Sequence, residues 1–492
     1  MKKYPEETQK VSAKLTCAIV SSAILPFLGV LTETMLNVIF PDLMREFEID
    51  AASVQWVTSV CLLAMSVVVP VSAFMKKRFT FATVFLISTF SAIIGGFIAM
   101  WSPNFAVLLF ARALQGISTG IGIPLMYNII LQYSPRSRIG FLSGLGSLVI
   151  GMAPAFGPAF GGFIVSIMPW RMSFAVIVAM FAVNCIVGKL SIENRPADKN
   201  ARISFVQFSL VALGLVSFTQ GVQFAGKAVE RAFLNDVSAR DILLAVACPC
   251  AGIAFFALFW FFASRSSNAM INVKVFKFRS VIFASASCIF LQIVELGLSF
   301  TVPYLSQQGY GFSSFKAGLI MLPGALAGSA AALYAGRLLD RKGPLIPVSA
   351  GLALMLVSLF YQAISAFSLT FSFLIIAHIV VETGYCGTYT NVFTVGLWNL
   401  PEELKSDGNA ALNTFQQLGC TLGTGILASV MSSCQICGMN SGMSASDSVK
   451  FGGRVGYSVM IFAVLLAAVF AAMLIFSDKK RHILSVKKIE TA

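Results

Sequence analysis

Charged residues are scarce in this sequence. Asp, Glu, Lys and Arg make up 11% of its 492 residues, whereas soluble domains carry about 25%. A water-facing surface for a chain of this size needs more charge than that, and 57% of the residues are hydrophobic instead. The scarcity excludes a soluble enzyme and indicates a protein embedded in a lipid bilayer.

Motifs of several other classes are also missing. The sequence has no phosphate-binding loop of the Gly-x-x-x-x-Gly-Lys-Ser/Thr type, which disfavours ATP-driven transport. It has no His-Glu-x-x-His metal motif, and no nucleophile and base stand at a spacing that catalysis needs. We therefore expect a protein that is not an enzyme and that uses no cofactor and no metal.

The net charge of +14 would indicate a nucleic-acid partner in a soluble protein. Here the basic residues stand in short clusters between apolar runs, as they do in the cytoplasmic loops of membrane proteins. We therefore expect no nucleic-acid partner.

Ten cysteines are scattered along the chain, and most lie inside apolar runs, where cysteine behaves as a small hydrophobic residue. Cys434 and Cys437 form a Cys-x-x-Cys without a second pair, so zinc is not expected. This pair is predicted to lie in an outward loop, where it either forms a local disulfide or has no function.

A helix needs about 20 apolar residues to cross the hydrocarbon core. Fourteen segments meet that length, near 15–40, 53–75, 80–101, 105–131, 138–166, 171–191, 205–226, 241–263, 280–305, 314–336, 345–366, 369–397, 409–432 and 455–476. The first follows Lys2, Lys3, Lys10 and Lys14 and is too long for a signal peptide, so it is expected to be retained. Most Lys and Arg residues, including Lys479 to Arg481, fall inside the cell if both termini are cytoplasmic.

The chain also contains a repeat. Three pairs of positions recur at nearly the same offset: Glu33 with Glu295, Lys76 with Arg341, and Arg112 with His378. We therefore predict an all-α polytopic membrane protein with three parts. These are an N-terminal six-helix bundle (1–192), a linker with two extra transmembrane helices (193–279), and a C-terminal six-helix bundle with a cytoplasmic tail (280–492).

Five ionisable residues lie well inside the predicted spans: Glu33, Arg112, Glu295, His378 and Glu382. Such groups are costly in the bilayer unless they face a cavity or a partner. Desolvation disfavours the charged form of a carboxyl group, so a carboxyl in an apolar cavity can bind and release a proton near neutral pH. The plainer alternatives are a structural pair of Arg112 with Glu33 and a hydrogen-bonded core histidine at position 378.

The fifth span carries an unusual pattern of glycine and proline. Glycines four apart leave a groove for a neighbouring backbone, and prolines permit a kink. The pattern consists of Gly151, Pro154, Gly157, Pro158, Gly161 and Gly162. It resembles the antiporter motif of exporters of the major facilitator superfamily.

Other motifs extend this resemblance over nearly the whole chain. Arg112-Ala-Leu-Gln115-Gly116 is similar to the family's Arg-x-x-Gln-Gly motif, whose arginine is implicated in proton transfer. Leu31 to Pro41 resembles the first-span motif of the fourteen-span drug:proton antiporters. Many members carry Asp where Thr32 stands, whereas Glu33 and Trp170-Arg171 are as in the lincomycin-resistance-like branch. The resemblance implies the major facilitator fold, with fourteen transmembrane helices, in a monomer.

The family's gating loop occurs in two copies of unequal quality. Lys76 to Arg78 keep only the basic character of the motif, and we expect them to serve topology alone. The second copy is closer to the motif and consists of Gly336, Arg337, Asp340, Arg341 and Gly343. The resemblance implies that it forms a cytoplasmic latch between the two halves.

We therefore predict a proton-coupled antiporter that exports small lipophilic compounds, cationic or neutral, such as drugs or antibiotics, across the cytoplasmic membrane. The expected partners are this substrate, protons and the lipid bilayer. Three in-span glutamates against one arginine favour a cation. Tyr127, Tyr304, Tyr385 and Tyr389 either offer cation–π contacts in the cavity or only pack. The alternatives are a dedicated exporter or importer of one metabolite and a non-transporting receptor, which would need no in-span acids.

Overall fold

The computed structural model of this chain describes residues 12–49, 54, 56–135, 138–193, 204–233, 237–266, 269, 271–312, 314–398 and 400–490. Outside that part lie Lys2, Lys3, Lys10, most of the charged stretch 193–202, and the side-chain surroundings of Lys76, Lys77, Pro158, Gly162, Lys479, Lys480 and Arg481. Every regular element in the described residues is a helix. Twelve of these helices are long and apolar enough to cross a membrane.

The N-terminal bundle consists of six helical segments, two of them interrupted. They are α1 (Ala13–Phe47), α2a (Trp56–Val68) with α2b (Ser72–Arg78), α3 (Phe81–Met100), α4 (Phe105–Tyr133), α5a (Ile139–Gly151) with α5b (Ala153–Ile167), and α6 (Arg171–Ser191). Both interruptions occur where proline removes a backbone donor. Pro70 lies in the 3-10 turn Val69–Val71, and Pro154 opens α5b. The fifth segment thus has the interruption that its prolines predict.

Two inserted helices and a second six-helix bundle follow. The inserted helices are α7 (Phe205–Phe233) and α8 (Ala239–Arg265). The C-terminal bundle consists of α9 (Arg279–Tyr304), α10 (Ser314–Lys342), α11 (Leu345–Ile364), α12 (Phe371–Trp398), α13 (Glu402–Asn440) and α14 (Ala445–Glu490). Most bounds agree closely with the predicted spans. However, α13 and α14 extend well beyond 409–432 and 455–476, because a hydropathy pattern detects only the apolar part of a helix.

Two segments predicted as loops are helical instead. Cys434 and Cys437 lie inside α13, and both thiols are free. Most of the predicted gating loop forms the last two turns of α10. Gly343 alone follows that helix, with a φ of 79° that favours glycine. The hydropathy pattern assigns these residues to loops because the ends of long helices are polar.

Two seams join the bundles. At one seam α5a and α5b pack against α10, and at the other α2a and α2b pack against α13. The inserted helix α7 covers the second seam, where Val211 and Leu215 lie in one apolar cluster with Phe74 and Ala410. We call the end of the molecule that holds Ser12, the α4–α5a connection and the α10–α11 connection the inner end.

Candidate functional site

The N-terminal bundle fixes one buried positive charge. Arg112 on α4 is fully buried, and its Nε donates to the carbonyl of Val57 at 3.1 Å. Its Nη1 donates to Gln115 Oε1 at 2.5 Å. The guanidinium is therefore held between α2a and α4 by two hydrogen bonds, which are strong because the donor is charged.

Glu33 on α1 lies within electrostatic range of this arginine. The charge of Arg112 acts on Glu33, but no ion pair joins the two among the described residues. Arg112 Nη2 has no hydrogen-bond partner. A simple structural pair of Arg112 with Glu33 is therefore not what the structure contains, and the carboxyl of Glu33 is left without a fixed salt-bridge partner.

Glycines bring the three helices of this site together. A Cβ atom at Gly116 of α4 would overlap the carbonyl of Cys61 on α2a, and one at Gly29 of α1 would overlap Thr119 on α4. Only glycine lets these backbones approach so closely. The close approach sets Glu33 and Arg112 at the same level of the bundle.

In the C-terminal bundle two carboxyl groups meet. Glu295 on α9 and Glu382 on α12 lie within hydrogen-bonding range of each other. Cys386 Sγ lies 3.9 Å from Glu382 Oε2, and His378 Nε2 lies 3.8 Å from Glu382 Oε1. The structure thus brings together the three ionisable residues that the sequence predicts in this half.

A polar network of the C-terminal bundle lies beside these carboxyls. The hydroxyl of Tyr385 donates to Gln292 Oε1, and Gln292 Nε2 donates to Cys420 Sγ at 3.5 Å. Cys420 on α13 lies within electrostatic range of both Glu33 and Glu295. The two ionisable centres are separate, and Cys420 lies within reach of the charge of each. Gln292 was missed in the sequence, although a polar amide inside an apolar run was a usable signal.

The glycines of the antiporter motif shape the wall beside Glu33. Cβ atoms at Gly157 and Gly161 of α5b would overlap Thr34 and Met35 of α1, which are the two residues that follow Glu33. Gly151 lies against Ser329 of α10, so the motif also reaches the seam between the bundles.

A matching glycine pair lies in the C-terminal bundle and was not found from the sequence. Gly419 and Gly423 of α13 pack against the backbone of α9 at Ile289 and Ile293. They repeat Gly157 and Gly161 at the offset that relates Glu33 to Glu295. That shared offset was the signal that could have revealed them.

Contacts between the bundles close the structure on the inner side of the carboxyls. Tyr127 of α4 stacks on Phe393 of α12, with ring centroids 4.5 Å apart. Ser147 of α5a lies 3.3 Å from the hydroxyl of Thr390, and Asn409 Nδ2 donates to the carbonyl of Pro124 at 3.1 Å. Of the predicted aromatics, Tyr385 and Tyr389 stack at 5.6 Å near Glu382. Tyr304 instead donates to Gln435 Oε1 at 2.7 Å, away from the other three.

The second copy of the gating motif caps a helix of the opposite bundle. The carboxylate of Asp340 accepts hydrogen bonds from the backbone amides of Gly140 and Phe141, each at 3.2 Å. Arg337 lies over the ring of Phe141 at 4.7 Å, and Gly336 touches the backbone of Gly140. Asp340 thus satisfies free amides at the positive end of α5a. Arg341 is exposed.

A polar clamp lies at the outer end of the N-terminal bundle. Glu46 accepts from Trp170 Nε1 at 2.6 Å and pairs with Arg171 at 2.5 Å, and Arg171 donates to the carbonyl of Ser102 at 2.9 Å. Partial burial opposes ionisation of Glu46. The hydrogen bonds from Trp170 and Arg171, with the charge of Arg171, outweigh it and hold the pKa of Glu46 below its ordinary value.

Comparison with known proteins agrees with this architecture. Residues 23–424 match the sequence profile of the Major Facilitator Superfamily. The chain belongs to that superfamily. It is 29% identical over 432 residues to the lincomycin resistance protein LmrB of Bacillus subtilis (strain 168), covering 87% of this chain and 88% of that one. The putative multidrug resistance protein MdtD of Serratia proteamaculans is 25% identical over 403 residues, covering 81% and 82%.

A solved structure shows the same fold. The human organic anion transporter MFSD10 (TETRAN) superposes with a TM-score of 0.61 at 15% identity, covering 92% of this chain and 100% of that one. The predictions of the superfamily, of its drug-exporter branch and of a multi-pass helical membrane protein are confirmed.

Proposed function

We propose that this major facilitator protein is a proton-coupled antiporter that exports small lipophilic compounds, cationic or neutral, such as drugs or antibiotics. The observation that carries the proposal is that three carboxyl groups form two buried centres, Glu33 near the guanidinium of Arg112 and Glu295 with Glu382, both within electrostatic range of Cys420. Intramembrane ionisable groups of this kind mark ion and substrate pathways. The printed names of the relatives, lincomycin and multidrug resistance proteins, support the same substrate class.

The inner end then faces the cytoplasm, with both termini inside the cell, as the distribution of Lys and Arg favours. In this orientation the structure is closed toward the cytoplasm by Asp340 and by the Tyr127–Phe393 stack. Asp340 acts as the latch. Its hydrogen bonds to α5a hold the inner end closed and break when the bundles rock to the opposite state. One chain contains both bundles, and we propose that it works as a monomer.

Glu33 exchanges a proton for substrate in this scheme. While the inner end is closed, its carboxyl takes up a proton from the outer side. When the inner end opens, a cationic substrate stabilises the ionised carboxyl, and the proton leaves to the cytoplasm. The fixed charge of Arg112 supports the ionised form at that step, and Gln115 keeps the guanidinium in place. The substrate then leaves on the outer side when a new proton binds.

An efflux assay in cells tests this function. The host lacks its own drug pumps and is challenged with lincosamides and cationic dyes, with and without a collapsed proton gradient. The wild-type protein is expected to lower dye accumulation only while the gradient is intact, and Glu33→Gln is expected to abolish this. Glu403→Gln changes an exposed glutamate on α13 and serves as the matched control.

Efflux that survives collapse of the proton gradient would overturn the proposed coupling. Protection against none of the compounds would overturn the proposed substrate class.

A further inference from the structure

Glu295 and Glu382 form a carboxyl pair that holds a proton of its own. Two carboxyl groups at hydrogen-bonding range attract each other only when at least one of them carries a proton, because two ionised carboxylates repel. Glu382 is 6% exposed, and Glu295 is half-buried, although its Oε2 atom is buried and has no hydrogen-bond partner. The pair is therefore buried on one side and able to exchange its proton on the other.

No fixed positive charge faces this pair among the described residues. The titratable groups that act on it directly are His378, Tyr385 and Cys386 of α12 and Cys420 of α13. Beyond these neighbours, and interacting with them or with one another, lie Tyr389 of α12, Tyr127 of α4, Cys288 of α9 and Glu33 of α1. The neighbouring helix α10 presents Gly324 and Gly328 at this level. Packed against α12, α11 has no charged residue, and the described charges of α14 lie near its ends. The negative charge of the pair is thus lowered only by protons or by a bound cation.

His378 is an independent sign of proton exchange at this place. Its ring is 2% exposed, its Nδ1 has no hydrogen-bond partner, and its Nε2 points at Glu382 from 3.8 Å. A buried polar group without a partner is unfavourable. A shift of about 0.6 Å would bring Nε2 into hydrogen-bond range of the carboxyl. Because both residues lie on α12, a small rotation of either side chain is enough to bring the imidazole into position to accept or return the shared proton.

The N-terminal centre differs in its charge balance. Glu33 binds a single proton, and the nearby Arg112 carries a permanent charge. One proton is thus available at each of two separate centres, since the pair in the C-terminal bundle holds one between its two carboxyls.

We infer that the Glu295–Glu382 pair exchanges a second proton in every cycle, so that two protons enter for each molecule exported. The inference rests on the proposed antiport. Two protons entering against one departing monocation move one net positive charge inward, whereas a single proton would move none. Export of a lipophilic monocation is then driven by the membrane potential as well as by the pH difference.

Proteoliposomes with separately imposed gradients test the second proton. Ethidium is the probe, and a potassium gradient with valinomycin sets the potential at equal pH on both sides. The wild-type protein is expected to move ethidium uphill with the potential alone, at two protons per ethidium. Glu382→Gln removes the shared proton, so the ratio falls to one and only the response to the pH difference remains. Liposomes with the Glu33→Gln variant measure how the dye redistributes without transport by the protein. Glu403→Gln is the matched control and should behave like the wild-type protein.

A wild-type protein that responds to the pH difference but not to the potential would overturn the second proton and leave the proposed function standing. A wild-type protein that responds to neither gradient would instead overturn the proposed function.

Proton release on ethidium binding can be measured even for variants that do not transport. Purified protein in weakly buffered solution is mixed with ethidium, and the released protons are counted. We expect two from the wild-type protein and one from Glu382→Gln or Glu295→Gln. Equal counts from all three proteins would overturn the inference.

Discussion

The two six-helix bundles share a topology but hold buried charge in different ways. The N-terminal bundle places Glu33 near Arg112, whose guanidinium is fixed by Val57 and Gln115. At the position of that arginine, the C-terminal bundle has His378, which has no hydrogen bond at Nδ1 and lies beside Glu382. One half thus has a permanent cation, and the other has a group that is charged only when it holds a proton.

The same contrast appears in the gating motif. The second copy supplies Asp340, which caps α5a of the opposite bundle, whereas Lys76 to Arg78 of the first copy include no acid. Backbone architecture is therefore repeated, as the glycine pairs 157/161 and 419/423 show, while the chemistry carried on it is not. A duplicated fold leaves each copy free to take a different part of one transport cycle.

The largest expected effect is the loss of efflux and stability when Arg112 is replaced, compared with the loss when His378 is replaced at the corresponding position of the C-terminal bundle. Arg112→Gln should abolish proton-driven efflux and lower the free energy of unfolding by about 3 kcal/mol or more, since each hydrogen bond to a charged group contributes about 1.5–3 kcal/mol. His378→Gln removes no strong hydrogen bond and should lower the free energy of unfolding by less than about 1 kcal/mol. Thermal unfolding of the purified variants checks both values. Equal losses would remove the contrast between the two centres.

The glycine pairs should behave alike in both bundles. Gly157→Ala puts a methyl group into Thr34, and Gly419→Ala puts one against the backbone of Ile289. Overpacking of this kind costs about 1–3 kcal/mol. We expect a similar drop in thermal stability for both variants, together with slower efflux. Gly318→Ala is the matched control, because no atom lies within 4 Å of the added carbon. A harmless Gly419→Ala would show that only the N-terminal pair matters.

The latch should have a smaller effect. Asp340→Asn removes the charge that caps α5a, an interaction that contributes about 1 kcal/mol. Because 1 kcal/mol corresponds to about a fivefold change in an equilibrium, the amides of Gly140 and Phe141 should exchange hydrogen about five times faster. Hydrogen-exchange mass spectrometry of α5a measures this rate. Unchanged exchange would mean that the inner end is held closed without Asp340.

The smallest effect concerns the outer clamp, which joins three elements of its bundle, whereas the ion pair at the outer end of the C-terminal bundle, Lys450 with Asp447, lies within one helix. The pKa of Glu46 is lower in the folded protein, so its contribution to stability is complete above the ordinary glutamate range and is lost as the pH falls through and below that range. The pair is partly exposed and screened by solvent, which limits the effect to about 1 kcal/mol. The wild-type protein should therefore lose slightly more thermal stability than Glu46→Gln between pH 5 and pH 3. Parallel curves would contradict this role of Glu46.

Hydropathy and motifs predict most of this fold because each segment that crosses the lipid must be a helix of about 20 mostly apolar residues. The same rule fails at polar helix ends, so Asp340 and Cys434 were assigned to loops although both lie in helices. In-span charges located Glu33, Arg112 and the Glu295–His378–Glu382 cluster. The contact of Gln292 with Cys420 was not found, because neutral side chains in an apolar run give little signal and their meeting depends on how helices pack. The proton-coupling and gating roles of these residues stay predictions.

Substrate-driven proton movement tests the central claim most directly. Purified protein is sealed into liposomes with an entrapped pH dye, and a gradient of ethidium is imposed without any initial pH difference. The account predicts that ethidium leaving one side draws protons to that side, that Glu33→Gln abolishes this movement, and that Glu403→Gln does not. Ethidium flux through the wild-type protein without any proton movement would contradict the claim that buried carboxyls exchange a proton for substrate.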